Sequence, residues 1–211
     1  MMRVIITGGT GSIGVPLSNQ LQSVGHEVII LSRNPDNVPE KLHDAIQLHQ
    51  WDAKTGAGWS HLIDDNTAIV NLAGKNPANW RWTNTHKQQV LDSRINAAEA
   101  VIAACTSSPQ KPQALIQASA VGYYGDTGQD EIREDAPAGI TWRAKVCQQW
   151  ESAAQPIETM GIRVAYIRVG IVLDPAGGAL PVRLRALLLA LALDTLGEPP
   201  ARVQQPRQQR R

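Results

Sequence analysis

The chain lacks the marks of an extracellular, metal-bound or membrane-spanning protein. Its 211 residues include two cysteines, Cys105 and Cys147. That is too few for a disulfide framework and suits a reducing compartment. Five histidines have no Cys or His partners at ligand spacing, so no metal site is expected. No apolar run is long enough to span a bilayer, and the N-terminus reads as a strand, not a signal peptide. The expected location is the cytoplasm. Charge of one sign is lacking too. Twenty basic residues face 19 acidic ones, a formal net charge of +1, which argues against nucleic acid or a membrane as partner. What remains is 43% hydrophobic and 18% charged, enough for one good-sized domain with a real core.

The most informative stretch is Arg3-Val-Ile-Ile-Thr-Gly-Gly-Thr-Gly-Ser-Ile-Gly14. Residues 4–6 are a short apolar run, and glycines follow at 8, 11 and 14. Ile13, Leu17, Leu21 and Val24 then fall on one helical face. Strand, glycine turn and helix together are the context of a dinucleotide-binding fingerprint. In such a turn Gly8 allows the tight bend, Gly11 lets backbone approach a pyrophosphate, and Gly14 lets the helix pack on the strand. The helix N-terminus offers free N–H groups and a partial positive charge to phosphates.

The second strand bears on the cofactor. Gly25 ends the first helix, and residues 28–31 are Val-Ile-Ile-Leu, followed by Ser32-Arg33. In dinucleotide folds a carboxylate at this strand tip binds the ribose 2′-hydroxyl of NAD, whereas an arginine accommodates the 2′-phosphate of NADP. Arg33 can pair with a phosphate dianion and stack on adenine. The expectation is NADP(H) in preference to NAD(H). Asp36, three residues on, leaves open a carboxylate turned back toward a ribose.

Strands and helices alternate further down the chain. Strands are predicted over 46–49, 67–72, 114–118 and 163–169, and helices over 83–105 and 141–160. Leu91, Ile95, Ala98, Ile102 and Cys105 form the apolar face of the first of these helices. Such alternation implies an α/β fold, a doubly wound parallel sheet in the order 3-2-1-4-5-6 with helices on both faces. Ligands then bind beyond the carboxyl ends of the strands. Gly8, Arg33, Asp52, Ala73, Ser119 and Gly170 all stand at strand ends.

At this point a family resemblance emerges. Thr7-Gly-Gly-Thr-Gly-Ser-Ile-Gly14, Asn71-Leu-Ala-Gly74 and Ser119-Ala-Val-Gly-Tyr-Tyr-Gly125 resemble short-chain dehydrogenase/reductases of the extended, epimerase-like type. Arg81-Trp-Thr83, residues 87–94 ending Asp-Ser-Arg, Val146-Cys-Gln-Gln-Trp-Glu151 and Arg168-Val-Gly-Ile-Val-Leu173 are similar to an atypical branch. Members of that branch carry names such as epimerase family protein, and some are labelled cell-division inhibitor. The resemblance implies that Thr7, Gly8, Gly11 and Gly14 hold the pyrophosphate, with backbone N–H groups from Ser12 and Ile13. It implies that Asp52 meets the adenine amino group and that Ala73 and Gly74 line the adenine and ribose side. Ser119 matches the serine that hydrogen-bonds a substrate carbonyl or hydroxyl. Extended members often pair through the two helices that here hold residues 91–105 and 146–160, which implies a possible homodimer.

Two departures stand out. Active members use Tyr-x-x-x-Lys on one helix face, the lysine lowering the tyrosine pKa. Here the residues four places after Tyr123, Tyr124 and Tyr166 are Thr127, Gly128 and Gly170, so the pair is absent. Tyr123 or Tyr124 can offer a phenol from the loop after Ser119, or can simply pack there. Lys145 either faces the nicotinamide ribose or is a solvated helix lysine. The second departure is the C-terminal end. The expected division is a dinucleotide-binding domain over 1–180, a Leu/Ala-rich helix over 181–196 and a disordered basic tail over 197–211. The family's substrate lobe is not in the sequence, and this end fits a truncated or frame-shifted gene. The expected function is an NADP(H)-binding oxidoreductase or epimerase acting on an unknown small hydroxyl or carbonyl substrate. The alternative is a catalytically weak nucleotide-binding protein with a sensor, partner-binding or cell-division role.

Overall fold

Six strands pair side by side to give the expected sheet. The computed structural model describes residues 1–77, 82–174 and 177–178. Strands β1 (Arg3–Thr7), β2 (Glu27–Ser32), β3 (Gln47–Gln50), β4 (Thr67–Asn71), β5 (Ala114–Ala120) and β6 (Arg163–Val169) are all parallel, in the order β3-β2-β1-β4-β5-β6. The direction of winding reverses between β1 and β4, which makes their carboxyl ends the switch-point crevice. Helices α1 (Gly14–Ser23), α2 (Asn84–Ser107) and α3 (Trp142–Ala154) connect the strands. Thr83 and Thr141 cap α2 and α3, each accepting a backbone N–H at 3.1 Å from His86 and Ala144 respectively.

The period of two along each strand divides the core into two layers. Val4, Ile6, Val28, Ile30 and Val70 pack with Leu17 and Leu21 of α1. Ile5, Ile29, Leu31, Ile69 and Leu115 face the opposite way, toward Ala97, Ala98, Val101, Ala104 and Cys105 of α2 and Ala154 of α3. Trp59, fully buried, closes this second layer. No described helix is long and apolar enough to cross a membrane.

Three local expectations are corrected. In α1 only Leu17 and Leu21 of the expected face pack against the core. Ile13 and Val24 cap the helix and are 36% and 61% exposed, while Gly14 and Ser18 are its buried residues. In α2, Ala98 and Cys105 are buried as expected, but Leu91, Ile95 and Ile102 are only partly buried, and alanines make up half of the buried positions. Both helices approach their neighbours so closely that small side chains make the contact. The α-helix predicted over 141–160 ends at Ala154, and Gln155–Met160 continues as 3₁₀ helix. Pro156 has no N–H to extend the α-helical ladder.

The chain divides into Met1–Ile171 and Val172–Arg211. In the second part the described residues form a short antiparallel pair, β7 (Leu173–Asp174) with β8 (Gly177–Gly178). The helix expected over 181–196 and the tail over 197–211 lie outside the described residues, as does Arg81.

A buried polar ladder ties the central strand ends together. Thr7 Oγ1 donates to Asn71 Oδ1 at 2.5 Å, Asn71 Nδ2 to Gln117 Oε1 at 2.9 Å, and Gln117 Nε2 to the Ala118 carbonyl at 2.9 Å. All three side chains are at 0% exposure. Asn71→Leu would leave a hydroxyl and an amide oxygen without partners in a dry layer. Each orphaned group costs about 1–3 kcal/mol, so a loss of about 2–4 kcal/mol is expected in urea denaturation. A loss below about 1 kcal/mol, the ordinary worth of one hydrogen bond, would show that the ladder does not hold the strand ends.

Candidate functional site

The site begins where β1 ends. Gly8 has φ +68°, and a Cβ there would meet the Leu72 carbonyl group at 2.8–2.9 Å. Only glycine suits both the backbone conformation and the space. A Cβ on Gly14 would run into the Gly8 carbonyl oxygen and the Gly9 backbone. Gly9, which the fingerprint spacing does not single out, has no room either, because Ile30 fills the space beside it. Gly11 differs. Its Cβ would meet only the Gly8 oxygen at 3.3 Å, and the residue is exposed. Gly11 N–H donates to Gly8 O at 3.1 Å and Val15 N–H to Gly11 O at 3.0 Å. The N–H groups of Ser12 and Ile13 donate to no acceptor among the described residues. Unspent donors at a helix N-terminus, beside an exposed glycine, can seat an anion.

The rim follows the strand order. Arg33, at the tip of β2, is exposed, and its guanidinium has no partner among the described residues. No carboxylate stands on that strand end. Asp52, beyond β3, is engaged by its own loop. Its Oδ1 accepts from the N–H groups of Lys54 and Thr55 and its Oδ2 from Thr55 Oγ1, each at 2.8 Å. The Lys54 N–H, foremost among these, holds the carboxyl below the usual carboxylate range. One lone-pair direction on Oδ2 stays open to an amino group. Ala73 N–H donates to Thr7 Oγ1 at 3.2 Å, and Gly74 is exposed next to Arg94.

The other half of the site forms at the end of β5. Ser119, 2% exposed, donates its hydroxyl to Glu151 Oε1 of α3 at 2.6 Å. Glu151 also receives a two-pronged contact from Arg168, Nε to Oε1 and Nη2 to Oε2, each at 2.9 Å. Arg168 is the residue paired with Ser119 across β5 and β6. Its Nη1 donates to the Tyr124 hydroxyl at 2.7 Å, and its guanidinium lies 3.6 Å from the Tyr123 ring centroid. The Glu151 carboxylate, above all, raises the Arg168 pKa further. The predicted Ser119, Tyr123 and Tyr124 are thus brought together, through an ion pair that was not predicted. Glu151 and Arg168 both stand in quoted motif segments. Nothing in either segment says that they meet.

The face of α3 turned to this corner carries Arg143 and Cys147, four residues apart. A Cβ on Gly122, in the 3₁₀ turn after β5, would come 3.5 Å from Arg143 Cβ and 3.9 Å from Cys147 Sγ. Burial pushes the Cys147 thiol up, against the hydrogen bonds of Ala120 and Ser119, so it stays protonated at neutral pH. Lys145 points away and is exposed. Beside Gly122 a cavity of about 540 Å³ opens between Trp82, Lys87, Trp142 and Arg143.

Comparison with known proteins assigns this arrangement. Residues 4–168 match the model of the NAD dependent epimerase/dehydratase family. The chain belongs to that family. An epimerase family protein of Mycobacterium bovis is 39% identical over 177 residues, covering 84% of this chain and 56% of the relative. One from Bacillus subtilis is 39% identical over 182 residues, covering 86% and 58%. The chain therefore spans a little over half the length of these epimerase family relatives. Among solved structures, human epimerase family protein SDR39U1 (isoform 2) with NADPH superposes with a TM-score of 0.72 at 34% identity, over 90% of this chain and 61% of that one. The nucleoside-diphosphate sugar epimerase of Corynebacterium glutamicum gives 0.70 at 36% identity, over 89% and 37%.

The epimerase fold makes opposite demands on two of its glycines. Gly11→Val should leave the chain folded, with a modest drop in thermal midpoint from the 3.3 Å approach of its Cβ to the Gly8 oxygen, yet abolish dinucleotide binding in calorimetry. Gly14→Ala should instead destabilise the fold by about 1–3 kcal/mol, the usual cost of overpacking. Retained binding by folded Gly11→Val would reduce the motif to a turn. The ion pair gives a second test. Glu151→Leu leaves Arg168 without its counter-ion and should lose about 3 kcal/mol, while Glu151→Leu with Arg168→Met should recover most of it. A double variant no better than the single one would contradict this reading of the pair.

Proposed function

We propose that this chain binds NADP(H) along the carboxyl ends of β2, β1 and β4. It would serve an oxidoreductase or epimerase reaction on a small hydroxyl or carbonyl compound. The observation that carries the reading is the unpartnered Arg33 at a strand tip free of carboxylates, beside a glycine turn with unspent N–H donors. The NADPH-bound human relative supports the same choice of cofactor. Thr7, Gly8, Gly11, Ser12, Ile13 and Gly14 would hold the diphosphate, Arg33 the 2′-phosphate, Asp52 the adenine, and Ala73 and Gly74 the ribose side. The bound nicotinamide would supply hydride transfer. The chain's own residues would orient the substrate oxygen. Because the Ser119 proton is committed to Glu151, Ser119 offers lone pairs, which suits a hydroxyl donor better than a carbonyl. The cavity at Trp82 and Trp142 is the space assigned to the substrate.

A second reading, nucleotide binding with little turnover, is favoured by the state of the tyrosines. The Tyr124 hydroxyl accepts from Arg168, and the Tyr123 ring is stacked on the same guanidinium. Neither stands beside a lysine that would make it a proton carrier. NADPH oxidation against a panel of carbonyl compounds, with Ser119→Ala as control, separates the two readings.

The cofactor choice has a direct test. A charge-assisted contact to the 2′-phosphate is worth about 1.5–3 kcal/mol, roughly ten- to a hundred-fold in affinity. Calorimetric titration should show NADPH bound more tightly than NADH by that margin. Arg33→Ala should remove the preference and leave NADH unchanged. Equal weakening toward both would make Arg33 structural.

A further inference from the structure

Arg94 is a half-buried cation with no anion beside it among the described residues. Its side chain leaves α2 and runs between Gly74, after β4, and the Trp150 ring on α3. A Cβ on Gly74 would lie 3.2 Å from its Cζ, and Cζ stands 4.9 Å from the Trp150 ring centroid. Nη1 donates to the carbonyls of Val90 at 2.8 Å and Lys75 at 3.1 Å. Nε and Nη2 have no hydrogen-bond partner among the described residues, and neither is sealed from solvent.

The other two arginines held in the structure are treated differently. Arg3 is paired with Glu27 and Asp64, and Arg168 with Glu151. Among the described residues no carboxylate pairs with Arg94. Its charge is instead disfavoured by burial, and the neutral thiol of Cys147 on α3 lies close to it without offsetting that charge. Backbone carbonyls satisfy one nitrogen of this guanidinium and leave the donors of the other two open to a ligand or to water. Cys147 in turn lies against Ser119. The unspent N–H groups therefore stand between the end of β4 and the end of β5. In a switch-point fold the half of a dinucleotide remote from the adenine crosses that gap.

We propose that Arg94 binds the nicotinamide-ribose half of the dinucleotide, donating from Nε and Nη2 to its hydroxyl and phosphate oxygens. This rests on the dinucleotide reading above. It places on α2 the cation that Tyr-x-x-x-Lys enzymes carry on the other helix, where this chain has Cys147 and an exposed Lys145. The planar fork of an arginine can span two oxygens, and Trp150 fixes its plane.

The test is calorimetric titration of the full chain with NADPH and with adenosine 2′,5′-bisphosphate, which carries the adenosine half alone. Wild type should bind both. Arg94→Met keeps the apolar stem on Trp150 and should weaken NADPH about tenfold or more while leaving the bisphosphate unchanged. Arg94→Lys, which keeps charge and stem but loses the fork, should fall between. It carries the test if thermal melting shows the methionine variant unfolded. Unchanged affinity for both ligands overturns the assignment and leaves the dinucleotide site standing. Parallel loss for both ligands marks Arg94 as structural and also overturns it. Failure of wild type to bind either ligand removes the dinucleotide reading, and this proposal with it.

Discussion

The chain Thr7–Asn71–Gln117 is the constraint on which the site depends. Three polar side chains, dry on every side, can be satisfied only by one another and by nearby backbone. That requirement fixes how far β1, β4 and β5 extend relative to one another. A slip by one residue would turn each polar group into an apolar layer. Thr7 also accepts the Ala73 N–H, so the same ladder sets where the chain leaves β4. Gly8 is pressed against that exit at Leu72, and Gly14 is pressed against Gly8. The helix N-terminus is thereby held over the crevice. The anion seat is a consequence of backbone placed by buried hydrogen bonds one layer below.

Charge in the site is distributed unevenly. On the β5–β6 side, Glu151 is shared between the Ser119 hydroxyl and the Arg168 fork, and Arg168 is further engaged by two tyrosines. Few donors are left over in this corner. Around the crevice the opposite holds. Arg33, Arg94 and the N–H groups of Ser12 and Ile13 all have capacity to spare. Unsatisfied positive groups of this kind, drawn from β2, the α1 turn and α2, describe an extended anionic ligand better than a point-like one.

What the sequence reveals and conceals follows from the range of each interaction. The glycine turn was legible because its requirement is local: a bend, a close approach and a helix start within eight residues, 7–14. The strand order was legible because alternating elements with short connections leave few topologies. The packed faces of α1 and α2 were legible only in part, for a physical reason. Periodicity seeks large apolar residues, but these helices sit close enough that Gly14, Ser18, Ala97 and Ala104 make the contact. The Glu151–Arg168 pair was not legible at all. It joins a helix to a strand 17 residues later, and no spacing rule links them. The role of Asp52 within its own turn was available in principle, since an Asp followed by Lys-Thr two and three places on can cap itself. It was overlooked because the strand-end position suggested a ligand first.

The absent Tyr-x-x-x-Lys pair acquires a structural meaning from this arrangement. On α3 the positions facing β5 are held by Cys147, a protonated thiol beside Ser119, and Arg143, one turn earlier. A thiol there cannot lower a neighbouring phenol's pKa as an ammonium does. The two tyrosines of the loop meet a cation in Arg168, but its charge is already neutralised by Glu151, and Tyr124 accepts from it without a base to take a proton. The Ser119–Glu151 hydrogen bond is the shortest contact at the end of β5 among the described residues. The crevice at the ends of β1, β2 and β4 is built on the glycine turn, and the corner at the ends of β5 and β6 on an ion pair. The two share no side chain, which makes them separable by mutation.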